Sequence, residues 1–146
     1  MAFRAAYRGI LADAFLEDLE EPRFPAKFDR ALSDPRGLAL VAEEDGRVVG
    51  VCYAGPSREP GYPGGEVHAI YLLPEAQGKG LGRALFEEAL RFLEETGQTP
   101  VWVWVIEANE RARGFYRRMG GVEAGVRVSR LPDPEGRPIR LVAYRF

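Results

Sequence analysis

The sequence has 146 residues, of which 46% are hydrophobic and 29% are charged, and this balance is typical of one globular domain over residues 1–146. The net charge of −2 argues against a protein that holds nucleic acid by bulk electrostatics. No apolar stretch reaches the roughly 18 residues that a membrane span needs, so we expect no membrane partner. The chain has one cysteine and cannot form an intrachain disulfide. Arg4 and Arg8 interrupt the apolar run that a signal peptide would need at the N-terminus. We therefore expect a cytoplasmic protein.

The first third of the chain is predicted to contain two helices and a β-hairpin. Apolar residues recur at intervals of three and four over residues 1–19, and Pro22 suits the first turn of a helix over residues 22–32. Residues 38–43 and 47–54 are predicted to be antiparallel strands, because Asp45-Gly46 between them is a strong hairpin-turn signal.

The centre of the chain is predicted to be a strand, a helix and a second strand. Residues 55–65 are rich in proline and glycine, which indicates an exposed loop that helps to shape a substrate pocket. A strand over residues 66–73 leads through a glycine-rich turn into a helix over residues 80–96, whose apolar stripe consists of Leu81, Leu85, Ala89, Phe92 and Leu93. Residues 101–106 are apolar on both faces, which is typical of a strand joined to a parallel neighbour by a helical crossover.

The last part of the chain is predicted to be a helix and a closing hairpin. Asn109 is a natural helix cap, and Gly120 with Gly121 ends the helix that follows it. Residues 122–131 and 139–146 are predicted to pair as strands around a proline-rich turn.

The glycine-rich turn before the central helix has the features of a phosphate site. The first turn of a helix offers free N–H groups and a partial positive charge, and glycines allow a phosphate to approach the backbone. Lys79 and Arg83 add cations at the same end. A dinucleotide fingerprint would need glycine where Arg83 stands, and a P-loop would need serine or threonine where Gly80 stands. A glycine-rich turn without a ligand is the alternative.

Two motifs resemble those of the GNAT superfamily of acyl-CoA N-acyltransferases. The pattern Gln-x-x-Gly-x-Gly at Gln77, Gly80 and Gly82 resembles the loop that binds the diphosphate of coenzyme A in that family. The run Asn109-x-x-Ala112-x-x-Phe115-Tyr116-x-x-Met119-Gly120 resembles the helix after the fifth strand of these enzymes. Two motifs in the family's order, separated by one helix and one strand, are more specific than either motif alone.

The resemblance implies an α/β (α+β) fold with a mixed, mostly antiparallel sheet and helices on both faces. A parallel central pair of strands would splay apart at the acyl-CoA site. Residues 3–11 resemble the first-helix region of one GNAT branch, in which a strand comes before that helix. Because the chain starts inside the predicted helix, we expect the first family strand to be missing. A free sheet edge could then pair with a second copy, so a homodimer is possible.

The resemblance also implies the reaction. GNAT enzymes transfer an acetyl group from acetyl-CoA to an amine, by direct attack in a ternary complex and without a metal. The acceptor here would be a small-molecule or peptide amine, whose identity no motif indicates. The residues expected to bind the cofactor are Ile70, Tyr71, Leu72, Gln77, Gly78, Lys79, Gly80, Leu81, Gly82, Arg83, Asn109 and Tyr116.

Three residues are candidates for proton transfer. Tyr116 occupies the tyrosine position of the family's Phe-Tyr pair and would donate a proton to the leaving thiolate; the alternative is a core tyrosine. Glu66 stands eleven residues before Gln77, where histone-acetylating members carry a catalytic glutamate, and it is the candidate base. Strand alternation would put Glu66, His68, Ile70 and Leu72 on one face, so His68 is a second candidate base. Either side chain could instead be an ordinary polar residue of a strand.

Two other classes of function stay open from the sequence. One is a non-catalytic acyl-CoA-binding or regulatory module on the same fold. The other is a structural or partner-binding domain whose glycine-rich turn holds no ligand. The sequence separates neither from an enzyme, because the acceptor side carries no recognisable motif.

Overall fold

The computed structural model describes residues 2–5, for which only the backbone is considered, and residues 34–130 and 132–146. The strands within these ranges are β1 (Ala2–Ala5), β2 (Leu38–Glu44), β3 (Arg47–Pro56), β4 (Gly65–Leu72), β5 (Val101–Ile106), β6 (Val122–Val128) and β7 (Arg140–Arg145). The α-helices described are α1 (Leu81–Glu95) and α2 (Glu110–Arg118), and a 3-10 turn (Pro74–Ala76) lies between β4 and α1.

The described strands form one sheet with the order β1-β2-β3-β4-β5-β7-β6. The central pair β4 and β5 is parallel, and every other neighbouring pair is antiparallel. Helix α1 connects β4 to β5, which is the crossover that a parallel pair requires. The mixed, mostly antiparallel sheet with a parallel central pair is therefore confirmed.

The parallel pair separates soon after it forms. Strands β4 and β5 pair only at Gly65 with Val101 and at Glu66 with Trp102. Beyond these residues β4 continues beside β3, whereas β5 continues beside β7. The two central strands therefore diverge toward the end of β4 from which the glycine-rich turn leaves.

The prediction of a missing first strand is wrong. Residues 2–5 form β1, which pairs antiparallel with β2 from Leu40 to Glu43. Hydrophobic periodicity in so short an alanine-rich stretch does not distinguish a helix from an edge strand. The stretch is a strand because β2 offers it a row of backbone hydrogen-bonding groups. The helix predicted over residues 1–19 is therefore wrong at residues 2–5. Its remainder and the helix predicted over residues 22–32 lie outside the described residues, so helices on both faces stay a prediction. The homodimer also stays a prediction, but the edge of β2 that suggested it is covered by β1.

The core between α1 and the sheet is built from the apolar face of the helix. Of the predicted stripe, Phe92 is only partly buried, and Phe86 is buried where no stripe residue was predicted. The buried side chains of α1 are Leu81, Leu85, Phe86, Ala89 and Leu93. The tight turn at Asp45 and Gly46, with φ angles of 52° and 76°, joins β2 to β3 as predicted.

Candidate active site

The glycine-rich turn and α2 form the walls of an open cavity of about 460 Å³ at the end of β4. Gly78 and Gly80 adopt left-handed backbone angles, with φ of 77° and 81°. Gly80 is the N-cap of α1, and no side chain caps that first turn. The N–H groups of the turn are thus left for a ligand. The lining residues are Ile70, Leu72, Gln77, Gly78, Gly80, Gly82, Arg83, Asn109, Arg111, Ala112, Phe115, Tyr116 and Arg118.

The charged side chains of the glycine-rich turn are already paired. Lys79 Nζ lies 3.4 Å from a Glu44 carboxylate oxygen, and Arg83 Nε lies 2.7 Å from a Glu87 carboxylate oxygen. These partners compensate much of the unfavourable interaction between a cation and the start of a helix. The position of the two cations is therefore weaker support for a bound phosphate than the sequence suggested.

Helix α2 contributes its N-cap Asn109 and its residue Tyr116 to the lining of the same cavity. The Asn109 side chain accepts a hydrogen bond of 3.1 Å from the Ala112 N–H and caps the helix. Tyr116 packs edge-on against Phe86, with 5.4 Å between ring centroids. Burial, together with the nearby thiol of Cys52, raises the pKa of Tyr116 well above its usual range. The phenol is therefore protonated at neutral pH and able to donate a hydrogen bond.

A β-bulge decides which way the polar side chains of β4 face. Tyr53 of β3 lies opposite Ala69, but the next residue, Ala54, lies opposite Val67, so His68 is an extra residue in β4. Ile70 and Leu72 therefore pack with the core under α1.

Glu66 and His68 face the other side of the sheet, where both line a second cavity. The prediction that alternation puts Glu66, His68, Ile70 and Leu72 on one face is wrong, because the bulge shifts the alternation by one residue.

Glu66 and His68 form a close pair. His68 Nδ1 lies 3.1 Å from Glu66 Oε2, and the Arg58 N–H donates a 3.1 Å hydrogen bond to Glu66 Oε1. Burial acts to raise the pKa of Glu66, but the hydrogen bond and charge of His68 and the contacts of Arg58 outweigh it and lower the pKa. His68 Nε2 is buried and has no hydrogen-bond partner among the described residues. The pair thus contains an ionised carboxylate that orients an imidazole.

The second cavity has a volume of about 220 Å³ and is lined by Tyr53, Arg58, Glu59, Glu66, His68, Arg127 and Arg130. One wall is the loop between β3 and β4, which the sequence predicts to shape a substrate pocket. Tyr62 fixes this loop on β5, with its ring edge-on to both Trp102 and Trp104 at centroid distances of 4.9 and 4.8 Å. These contacts anchor the loop. The two cavities lie on opposite faces of the sheet, beside the diverging strands β4 and β5.

The model of the acetyltransferase (GNAT) family matches residues 4–121. This chain belongs to the GNAT acetyltransferase family. YuaI of Bacillus subtilis, an uncharacterized N-acetyltransferase, is 38% identical over 111 residues, which are 74% of this chain and 62% of YuaI. A mycothiol acetyltransferase of Cellulomonas flavigena is 35% identical over 145 residues, covering 91% of this chain and 41% of that protein. This chain therefore spans less than two thirds of the length of these relatives.

A solved structure shares the fold of this GNAT family member. The acetyltransferase yncA of Salmonella typhimurium, solved with its cofactor acetyl-CoA, superimposes with a TM-score of 0.76 at 19% identity. The match covers 99% of this chain and 92% of that chain. The architecture predicted from the two motifs is that of GNAT acetyltransferases.

Nine of the twelve predicted cofactor residues line the first cavity, and three do not. Leu81 is buried in the core, and the side chain of Lys79 extends to Glu44. Tyr71 lies between Ile70 and Leu72 in β4, so its side chain is on the opposite face of the sheet from theirs. The lining also includes Arg111 and Arg118, which the sequence analysis did not single out. Their spacing of seven residues, which puts two side chains on one helix face, was the available signal.

The described ranges lack two kinds of feature. No helix in these ranges has the length and apolar character to span a membrane. Within the same ranges, no three histidine, cysteine or acidic side chains are grouped so that they could hold a metal ion.

Proposed function

We propose that this GNAT family member transfers an acetyl group from acetyl-CoA to a primary amine, by direct attack within a ternary complex. The observation that carries the proposal is the glycine-lined cavity at the point where β4 and β5 diverge. The acetyl-CoA in the yncA structure supports the choice of co-substrate. Residues 1–146 would act as one acetyltransferase domain, and the single cysteine supports a cytoplasmic setting.

The first cavity fits the chemistry of coenzyme A. Its lining contains three arginines and no carboxylate, which suits a ligand with several phosphate groups. A Cβ at Gly82 would lie 3.3 Å from Leu72 Cδ1 and would reduce the space in the cavity beside the first turn of α1. We infer that the backbone from Gln77 to Arg83 holds the diphosphate. The edge of β4 from Ile70 to Leu72, which pairs with β3 but with no described strand on the β5 side, would then orient the thioester, which supplies the activated acetyl group.

The acceptor amine would enter from the second cavity, on the opposite face of the sheet. A lysine-like amine has a pKa near 10.4, so its deprotonation at pH 7 costs about 4.6 kcal/mol. The Glu66–His68 pair would accept this proton. Both carboxylate oxygens of Glu66 are engaged, whereas His68 Nε2 has no partner among the residues described. We therefore assign the proton to the pair as a unit, with Glu66 as the orienting member.

Tyr116 would donate a hydrogen bond to the leaving thiolate, since burial keeps its hydroxyl protonated at neutral pH. A covalent acyl-enzyme is disfavoured. Burial raises the pKa of Cys52, the one cysteine of the chain, to about 12. At pH 7 a thiol of that pKa is ionised in only about one molecule in 10⁵, and the thiolate is the nucleophile.

The first experiment is a panel of amines with acetyl-CoA, followed by the release of free coenzyme A thiol. The panel should include a protein N-terminal peptide, a lysine peptide, a polyamine and an amino acid. Release that depends on one class of amine supports the transferase. Coenzyme A binding without release for any amine would contradict it and favour a non-catalytic acyl-CoA-binding module.

The second experiment tests the assigned roles once an acceptor is known. Tyr116→Phe should lower kcat with little change in KM for acetyl-CoA, whereas the control Tyr62→Phe should keep its rate, since Tyr62 lines neither cavity. Glu66→Gln and His68→Asn should each remove the acidic limb of the pH profile of kcat/KM. A wild-type profile in either variant would remove the pair from the proton path.

A further inference from the structure

The loop between β3 and β4 brings a backbone donor to the Glu66–His68 pair. The Arg58 N–H donates a 3.1 Å hydrogen bond to Glu66 Oε1, while Glu66 Oε2 lies 3.1 Å from His68 Nδ1. The two oxygens of one carboxylate are therefore held by two different segments of the chain. If the loop moved, Glu66 would lose one of these contacts and would be free to rotate away from the imidazole. The orientation of the pair thus depends on the position of the loop.

The far end of this loop is fixed by aromatic packing. Tyr62 lies edge-on to Trp102 and Trp104, and the Trp102 Nε1–H donates a 2.9 Å hydrogen bond to the Pro63 carbonyl. Gly125 of β6 leaves space for the Tyr62 ring, because a Cβ at that position would overlap the ring. These contacts hold residues 62 and 63, whereas the donor N–H belongs to the start of the loop.

The start of the loop is held by an ion pair with β6. Glu59 Oε2 lies 3.1 Å from Arg127 Nε, and both residues line the second cavity. The Nε–H has no aligned hydrogen-bond partner among the residues described, so this contact acts through charge. The guanidinium carbon of Arg127 lies 4.9 Å from the centroid of the Trp104 ring, which holds the arginine in place. The side chains of Glu59 and Arg127 are 19% and 29% exposed, so water and salt screen their attraction less than that of an exposed pair.

We propose that Glu59 and Arg127 are positioning residues for the proposed proton acceptor. Their ion pair holds the loop in the place where the Arg58 N–H keeps the Glu66 carboxylate directed at His68. Glu59 follows Arg58 directly in the chain, so a Glu59 released from Arg127 moves the donor N–H with it. This inference deepens the proposed function, because it concerns the pair to which the amine proton is assigned.

The first test follows the His68 imidazole by nitrogen NMR on the full chain, at a pH high enough to keep the ring neutral. His68 is the one histidine of the sequence, so its two ring nitrogens give unambiguous signals. In wild type the carboxylate beside Nδ1 should favour the tautomer with its proton on Nδ1. Arg127→Gln should convert this population into a mixture with the Nε2-protonated tautomer. Arg127→Lys keeps the charge and should keep more of the wild-type population.

Three other variants show whether the effect passes through this ion pair. Arg140→Gln is the matched control, because Arg140 Nε lies 3.2 Å from Glu107 Oε2 in a contact of the same kind. Neither residue of that pair belongs to the described lining of either cavity, so the control should keep the wild-type tautomer population. Glu59→Gln and the double variant Glu59→Gln with Arg127→Gln should both match Arg127→Gln, since all three remove one interaction.

The second test measures activity once an acceptor is known. Arg127→Gln should lower kcat at least about tenfold, because a misdirected pair loses part of its contribution as a base. The KM for acetyl-CoA should change little, since the proposed cofactor cavity lies on the opposite face of the sheet. Arg140→Gln should keep both constants.

The outcomes keep this inference and the proposed function apart. An unchanged tautomer population in Arg127→Gln would overturn the inference, as would a change of equal size in Arg140→Gln. Additive changes in the double variant would overturn it too, because the two residues would then act separately. Failure of every amine to release coenzyme A thiol would overturn the proposed function alone, since the tautomer measurement needs no acceptor and still decides whether the ion pair positions Glu66.

Discussion

Gly80 and Gly97 offer a matched pair of substitutions at the two ends of α1. Both have left-handed backbone angles, with φ of 81° and 72°, and a Cβ added at either would meet no atom within 4 Å. Gly80 lines the first cavity, whereas Gly97 is exposed in the turn after the helix. Replacing each by alanine therefore causes the same backbone strain, and only one replacement reaches the proposed coenzyme A site.

The strain sets the expected loss of stability. A left-handed conformation costs an alanine roughly 1–2 kcal/mol, so Gly80→Ala and Gly97→Ala should lose similar free energies of unfolding. For a chain of this length, each kcal/mol lowers Tm by about 2–4 °C. The two variants should therefore unfold at similar temperatures, a few degrees below wild type.

The ligand then separates the two variants. Coenzyme A at 100 times its Kd should stabilise wild type and Gly97→Ala by about 2.7 kcal/mol. If the added methyl group lowers the affinity of Gly80→Ala tenfold, the same concentration stabilises that variant by about 1.4 kcal/mol. Urea unfolding with and without coenzyme A measures both quantities.

Two results would refute this reasoning. Equal stabilisation of all three proteins by coenzyme A would mean that the start of α1 is not its binding site. A loss of stability in Gly80→Ala without a similar loss in Gly97→Ala would mean that backbone strain is not the common cause.

Three further predictions concern the core and the second cavity. Leu85→Ala should lower the free energy of unfolding by about 2–5 kcal/mol, since the Leu85 side chain of α1 is fully buried against the sheet, and a loss below 1 kcal/mol in urea unfolding would contradict that packing. Cys52 should not react with a thiol reagent at pH 8 until the protein is unfolded, because burial raises its pKa to about 12; rapid labelling of the folded protein would contradict the burial. The pKa of Glu66 is lowered in the folded protein, so its ionised form stabilises the fold at any pH above the usual glutamate pKa of about 4.3. This contribution to stability is lost as the pH falls through the lower pKa of the folded state. Wild type should therefore lose its stability advantage over Glu66→Gln on acidification from pH 6 to pH 3, and a constant difference would argue against the shift.

Much of the fold follows from patterns local in the chain. The hairpin at Asp45 and Gly46, the apolar face of α1 and the cap at Asn109 each depend on residues within a few positions of one another. The glycine-rich turn with the helix after it is equally local. Such signals predicted the parallel crossover and the order of the central elements, because backbone preference and hydrophobic periodicity act over short distances.

The sequence by itself thus determined the family resemblance, the helices and strands around the glycine-rich turn, and the residue types available at the site. The tertiary structure alone decided where several of those residues lie. The bulge at His68 depends on the register between β4 and β3, and it turned the Glu66–His68 pair away from Ile70. The ion pairs of Arg113 and Arg117 with Glu123 form because β6 lies beside α2. These features depend on contacts between residues distant in the chain, which no local pattern specifies.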